Sequence, residues 1–219
     1  MTKKGQHFLT DDTVVKKVIS YVDFSKRPII EIGGGKGSLT SKLKPDLTIE
    51  IDSKFLPYLR DYNLVIADAL FPPFLRGQIV SSLPYYITSD FMLNMVKHSQ
   101  ITRMVLILQK DFVDKVVGEP SYISYVLNFH FKIFPKDVVS PYSFFPRPKV
   151  FSQIVVFERE RDYDPGVDSV LKCISSYKNK KLSSAAKLCG LIVSEERKVR
   201  EFKPWQVIEL LNSLGIKSV

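Results

Sequence analysis

From Pro28 to about Phe157, short β-branched apolar runs alternate with stretches whose apolar residues recur at helical spacing. That alternation predicts an α/β domain on a mainly parallel sheet, because strands covered on both faces read as short apolar blocks. The strands fall at Ile29–Ile32, Leu47–Ile51, Leu64–Ala67, Gln78–Ser81, Arg103–Leu108, Phe129–Phe134 and Gln153–Phe157. Ahead of them, Thr10-Asp11-Asp12 caps a helix carrying Val14, Val15, Val18, Ile19 and Val22 on one face. The stretch Val116–Tyr122 reads as a mobile loop. Ser140–Pro148, rich in proline and aromatics, is too short for a crossover helix, so the last two strands pair antiparallel at the sheet edge. After Phe157 the charged run Glu158–Asp162 with Pro165-Gly166 reads as a linker. Helices follow at Val167 to about Tyr177, around Ser183–Leu188, and from Pro204 with Trp205, Ile208, Leu211 and Leu214 on one face. The expected division is an α/β domain over residues 1–160 and a small all-helical domain over residues 161–219.

Composition narrows the class. A chain of 219 residues, 45% hydrophobic and 25% charged, can bury a proper core. No apolar run approaches the roughly 18 to 20 residues of a membrane helix, and no signal-peptide stretch follows Met1, so a cytoplasmic location is expected. Cys173 and Cys189 are too few for a disulfide framework, and with three scattered histidines they show no zinc-like spacing. Reduced thiols and no metal are therefore expected. The net charge of +9 is concentrated: between Lys172 and Lys203 nine Lys or Arg face three acids, a local excess of six. Such a segment is either a solvated helical surface or a polyanion-binding face.

Three motifs carry candidate chemistry. The first strand ends in Glu31-Ile32-Gly33-Gly34-Gly35-Lys36-Gly37-Ser38, a glycine-rich turn into a helix that suits a nucleotide-like cofactor or a plain tight turn. Ser38 stands where a dinucleotide fingerprint wants its third glycine, and a phosphate-binding loop of the Walker type does not fit either. At the end of the second strand Glu50 can take both ribose hydroxyls or stand as a solvated carboxylate; Asp68, after the third strand, can accept from an adenine amino group. The fourth strand runs into Ser82-Leu83-Pro84-Tyr85, which matches the [Asp/Asn/Ser]-x-Pro-[Tyr/Phe] loop of enzymes that methylate exocyclic amino groups of bases. Alone, such a tetrapeptide is equally a proline turn with a buried tyrosine. Its chemistry is specific, however. The lone pair of adenine N6 is delocalised into the ring, and a side-chain oxygen at position 82 with the Pro84 carbonyl can hold both N–H groups while Tyr85 stacks on the extruded base.

In order and spacing these pieces resemble the KsgA-type ribosomal RNA adenine dimethyltransferases, which share a core with the Erm methyltransferases. The resemblance runs through Gly5-Gln6-His7-Phe8-Leu9, Glu31–Gly35, Glu50-Ile51-Asp52, Asp68-Ala69, Leu83-Pro84-Tyr85, Gln109-Lys110-Asp111 and Phe145-Pro146-Arg147-Pro148-Lys149-Val150. It implies a Rossmann-like class I methyltransferase with a mostly parallel seven-stranded sheet ending in an antiparallel hairpin, plus a small all-helical C-terminal domain. It implies S-adenosyl-L-methionine as cofactor, held by Gln6, His7, Leu9, Gly33, Gly35, Glu50, Asp68 and Ser82. It further implies a target base held by Ser82, Leu83, Pro84 and Tyr85, with Phe145 as a second aromatic wall. Ser82 departs from the family's usual Asn, and its oxygen reaches about one bond less far; the helical tail is also short for the family. Lys178, Lys180, Lys181, Arg197, Lys198 and Arg200 become the candidate RNA contacts.

The implied reaction is dimethylation of adenine N6 in small-subunit rRNA, with small-subunit particles as partner and a monomeric enzyme needing neither metal nor membrane. Two other functions fit the same motifs: an Erm-like large-subunit methyltransferase, and a noncatalytic ribosome-assembly factor, for which Ser82 is the support. His98 and His130 read as surface histidines without a functional role.

Overall fold

The computed structural model describes residues 7–71 and 76–216. Its elements are β1 (Phe8–Leu9), α1 (Asp12–Ser20), β2 (Ile29–Ile32), α2 (Thr40–Leu43), β3 (Leu47–Glu50), α3 (Leu56–Leu59), β4 (Leu64–Ile66), β5 (Gly77–Ser82), α4 (Thr88–Lys97) and β6 (Ile101–Gln109). There follow α5 (Lys110–Gly118), α6 (Tyr122–His130), β7 (Phe131–Val139), β8 (Phe144–Phe145), β9 (Ser152–Arg159), α7 (Pro165–Ser176), α8 (Leu182–Leu188) and α9 (Val207–Ser213).

Seven strands form one sheet in the order β4-β3-β2-β5-β6-β9-β7. The five strands from β4 to β6 run parallel, and β9 lies antiparallel to β6 from Arg103↔Glu158 to Gln109↔Ser152. The inner strands are apolar throughout because both sheet faces are covered: Ile29, Ile30, Ile79, Val80, Val105 and Leu106 are fully buried. From β2 the chain moves outward to β3 and β4, then returns to the opposite side of β2 as β5. A reversal of this kind opens a crevice outside the carboxyl ends of the strands.

Helix α1 starts where expected. The Asp11 carboxylate accepts from the Thr13 and Val14 N–H groups, and Val14, Val15 and Val18 join a core with Leu39, Leu43, Val105 and Ile154. The Ser143 hydroxyl donates to the same carboxylate at 2.9 Å and is the main cause holding it below its usual pKa. Nearby, β1 and β8 pair as a two-stranded antiparallel ribbon, Phe8 opposite Phe145 and Leu9 opposite Phe144.

By internal contacts the chain divides into two compact units, one of Met1–Val113 with Ile133–Arg159 and one of Asp114–Lys132 with Glu160–Val219. The second contains the largest departure from the sequence reading. The expected mobile loop at Val116–Tyr122 is instead the end of α5 and the start of α6, with only residues 119–121 between them. The strand expected from Phe129 begins at Phe131, since Phe129 and His130 close α6. Helix α6 hides its period by being apolar nearly all round: Tyr125, Val126, Leu127, Phe129 and His130 are all buried. It packs against α7, α9 and the turn at Pro204–Gln206.

Two further expectations are corrected in this unit. Trp205 does not share the buried face of α9, which is Val207, Leu210, Leu211 and Leu214; it sits in the preceding 3-10 turn and is 63% exposed. Cys173 and Cys189 are not free thiols but a disulfide, with Cα atoms 6.0 Å apart. The short Tyr177–Lys181 connection folds α8 back on α7, which brings together two residues that a cysteine count alone cannot pair. Among the described residues no helix is long and apolar enough to cross a membrane.

The fully buried Tyr125 tests the importance of α6. Its hydroxyl serves the carbonyls of Phe202 (2.6 Å) and Val199 (2.9 Å), and burial pushes its pKa up, so it remains a neutral donor. Tyr125→Phe leaves both carbonyls without that donor, and urea denaturation is expected to show a loss of about 1–3 kcal/mol.

Candidate active site

Outside the carboxyl ends of β2, β3, β4 and β5 lies a cavity of about 260 Å³. The glycine-rich turn after β2 forms its floor. Gly33 has φ +78°, and a Cβ there would point into open space, so the missing side chain leaves room for a ligand. Gly34 has a different duty: a Cβ would come within 2.6 Å of the Thr48 methyl on β3, so only glycine lets the turn seat against its neighbour. The Gly33 N–H donates to Ile49 O at 2.7 Å, which fixes the turn's first residue to the same strand.

Glu50 ends β3, nearly buried, at the cavity wall. Its Oε2 accepts from the Gly35 N–H at 2.9 Å, and its Oε1 accepts from the Ile51 and Asp52 N–H groups, both at 2.9 Å. A carboxylate has about four acceptor positions, so three backbone donors orient it and leave capacity for a ligand hydroxyl. Asp68 follows β4 and lines the same cavity; its Oδ1 accepts from the Leu70 N–H at 2.9 Å, which leaves Oδ2 for a ligand donor. Leu9, Leu39, Ile32 and Ile51 give the cavity apolar walls.

The loop from Ser82 closes one side. Ser82 is half-buried at the end of β5, and its hydroxyl hydrogen-bonds to none of the described residues. The Pro84 carbonyl receives long bonds from the Ile87 N–H (3.2 Å) and the Thr88 hydroxyl (3.4 Å), weak enough for a ligand donor to compete with them. Tyr85 is anchored by its hydroxyl to Ser152 Oγ at 2.7 Å, and burial raises its pKa. The His7 ring lies 5.8 Å from the Tyr85 ring, and His7 Nδ1 donates to Pro146 O at 2.7 Å.

The structure thus brings His7, Leu9, Gly33, Gly35, Glu50, Asp68, Ser82, Leu83, Pro84 and Tyr85 to one cavity. Gln6 lies outside the described residues. Phe145 is not in the cavity lining. It is 67% exposed on an adjoining groove, while its neighbour Phe144 lines the cavity. Of the six basic candidates, Lys181 pairs with Glu196 at 2.6 Å, and Arg197 pairs with Glu195 (2.9 Å) and Glu209 (2.7 Å). Lys178, Lys180, Lys198 and Arg200 form no ion pair among the described residues and are exposed.

Among the lining residues to which the sequence assigns no role, Ile51 and Glu31 stand out. Ile51 lines the wall while 47% exposed, and an apolar side chain directly after an acidic strand end was the available signal. Glu31 is buried beneath the glycine turn. Burial raises its carboxyl to about 7, the Thr40 and Thr48 hydroxyls partly oppose that rise, and the charge of Glu50 adds to it. Below the ordinary carboxyl pKa near 4.5 the group is neutral folded or unfolded; between 4.5 and about 7 only the unfolded chain ionises, which favours unfolding. The unliganded protein should therefore lose stability, by at most about 3 kcal/mol, as pH rises through that window. Chemical denaturation at a series of pH values should show that decline in the wild type and its absence in Glu31→Gln.

Comparison with known proteins agrees with this geometry. The family described as ribosomal RNA adenine dimethylase matches residues 1–171. The ribosomal RNA small subunit methyltransferase A of Onion yellows phytoplasma (strain OY-M) is 28% identical over 222 residues, covering 89% of this chain and 83% of the relative. The protein of the same name from Mesomycoplasma hyopneumoniae (strain 232) is 31% identical over 179 residues, covering 73% and 69%. Among solved structures, a dimethyladenosine transferase from Plasmodium falciparum superposes with a TM-score of 0.78 at 21% identity, over 96% of this chain and 99% of the other. The 23S rRNA methyltransferase ErmE gives 0.70 at 22% identity, over 95% and 99%. These two likenesses establish a Rossmann-like methyltransferase fold.

Proposed function

The chain belongs to the ribosomal RNA adenine dimethylase family, and from that premise we propose that it transfers two methyl groups from S-adenosylmethionine to N6 of adenine in small-subunit rRNA. The observation that carries this reading is the convergence of Glu50, Asp68 and the Ser82–Tyr85 loop on one cavity at the switch point of the sheet. Small-subunit specificity is drawn from the curated relatives' names.

The residues suit the cofactor they would hold. Glu50 has one acceptor position left for a ribose hydroxyl, Asp68 Oδ2 is open to the adenine amino group, and the space over Gly33 to the methionine end. When bound, the cofactor supplies a methyl group on a positively charged sulfonium. The chain's own work is orientation: Ser82 Oγ and Pro84 O hold the N–H groups of the target amine, and Tyr85, fixed by Ser152, presents its ring to the base. No general base is required, because the amine becomes acidic on methylation and its proton can leave to water.

The helical unit would dock the RNA. Backbone bonds from Leu182 to Arg197, Val199 to Lys180 and Arg200 to Lys178 join two basic segments antiparallel, with Lys181 directly opposite Lys198. With Lys181 and Arg197 occupied by acids, Lys178, Lys180, Lys198 and Arg200 are the phosphate contacts. Four contacts predict a slope of log affinity against log salt of about −3 to −4, and a variant with all four changed to Ala should lose most of it. Filter binding of small-subunit rRNA across a salt series measures both slopes.

Transfer of radiolabelled methyl to unmethylated small-subunit particles, with nucleoside analysis, tests the activity. Wild type should place label in N6,N6-dimethyladenosine. Glu50→Ala should weaken cofactor binding at least tenfold, and Ser82→Ala should lower turnover while cofactor affinity is kept. Label confined to large-subunit rRNA would favour the Erm-like reaction. Cofactor binding without label on any rRNA would mean an assembly factor.

A further inference from the structure

The exposed face of the ribbon made by β1 and β8 points to a second binding site. Successive residues of a strand face opposite sides. Leu9 and Phe144, an opposed pair, are turned into the core and line the cofactor cavity. The next pair, Phe8 and Phe145, walls a separate groove of about 240 Å³, completed by Lys36, Lys54, Phe55 and Pro146. Phe8 belongs to both linings, so the groove begins where the cavity ends.

The groove is a set of aromatic rings under ammonium groups. The Phe55 ring stands edge-on to Phe8 with centroids 5.3 Å apart. Lys36 Nζ lies 5.5 Å from the Phe8 centroid, and Lys54 Nζ lies 4.9 Å from that of Phe55. Lys54 also pairs with Asp52 at 2.7 Å, whereas Lys36 is exposed and forms no ion pair among the described residues. Phe145 leaves most of its surface in solvent, although a phenyl ring gains by being covered. Aromatic faces beside cationic side chains recognise a planar base joined to a phosphate, the combination used to bind single-stranded nucleic acid.

We propose that this groove holds one nucleotide of single-stranded RNA, the neighbour of the adenine presented to the Ser82–Tyr85 loop. The base stacks on Phe145 and Phe8, and its phosphate lies against Lys36, the groove lysine with no ion pair among the described residues. The assignment rests on the RNA-methylating reading above. It answers a need of that chemistry: drawing one base out of a helix strips its neighbour of a stacking partner, and the groove supplies a substitute. The second aromatic wall implied for Phe145 is thereby assigned to the flanking nucleotide.

The test uses the full chain and a short single-stranded RNA with one adenine beside a 4-thiouridine. Irradiation of the wild-type complex should crosslink the thiouridine to peptides containing Phe8, Lys36 or Phe145. The variant Lys36→Ala should bind this RNA about three- to fivefold more weakly by fluorescence anisotropy. Its salt slope should be shallower by about 0.7, the share of one phosphate contact on a single strand. Its S-adenosylmethionine affinity, measured by calorimetry, should stay within twofold, which separates loss of an RNA contact from damage to the fold. Crosslinks found only in the helical unit, or an unchanged affinity and slope, would overturn the proposal. Methyl transfer by the wild type is scored separately. Groove crosslinks without methylation of any rRNA would sink the enzymatic reading and keep the subsite; methylation without groove crosslinks would do the reverse.

Discussion

A carboxylate removed from water must recover its hydrogen bonds from the protein, and Glu50 recovers three of them from backbone N–H groups on two separate elements. Gly35 belongs to the turn after β2, while Ile51 and Asp52 follow β3. One side chain therefore locks the glycine turn to the end of the neighbouring strand, and the cavity between them takes its shape from that clasp. Glu31, buried on the neighbouring strand β2, is not held in the same way: its bond from the Thr48 hydroxyl is 3.5 Å long, and burial dominates its titration. Two acids on adjacent strands thus do different things because the donors around them differ.

The position of the cavity at the strand ends was legible in the sequence. A parallel strand must end in a turn, and ligands collect at those ends, so Gly33, Glu50 and Asp68 could be placed from order and spacing alone. Ser82 to Tyr85 were legible for a chemical reason, since few loops offer two oxygens and a ring at that spacing. Phe145 stands at the adjoining groove and not in the cavity lining, because sequence does not show which side of a two-residue ribbon a residue faces. Of the opposed pair Phe8 and Phe145, Phe8 reaches both the cavity and the groove and Phe145 the groove alone.

The helical part was less legible, for two physical reasons. Helix α6 lies in sequence before β7, yet by contacts it belongs with the helices after Glu160. Because those helices surround it, it is apolar on most sides and has no periodic stripe to read. The disulfide is a tertiary fact of the same kind, since the fold-back of α8 on α7, and not the number of cysteines, sets the distance between Cys173 and Cys189. Residues that meet only through packing leave no local signature.

The distribution of charge ties these parts to one task. The chain carries a net +9, yet the cavity lining contains Glu31, Glu50 and Asp68 and neither lysine nor arginine. A cationic cofactor is attracted to such a lining, and an RNA phosphate is repelled by it. The positive charge is placed elsewhere, on Lys36 and Lys54 at the groove and on Lys178, Lys180, Lys198 and Arg200 in the helical unit. A polyanion is therefore drawn to surfaces other than this lining, and an uncharged base is the part of a nucleic acid that the acids within do not repel. Selection of a nucleobase by a strongly basic protein follows from keeping the two signs apart.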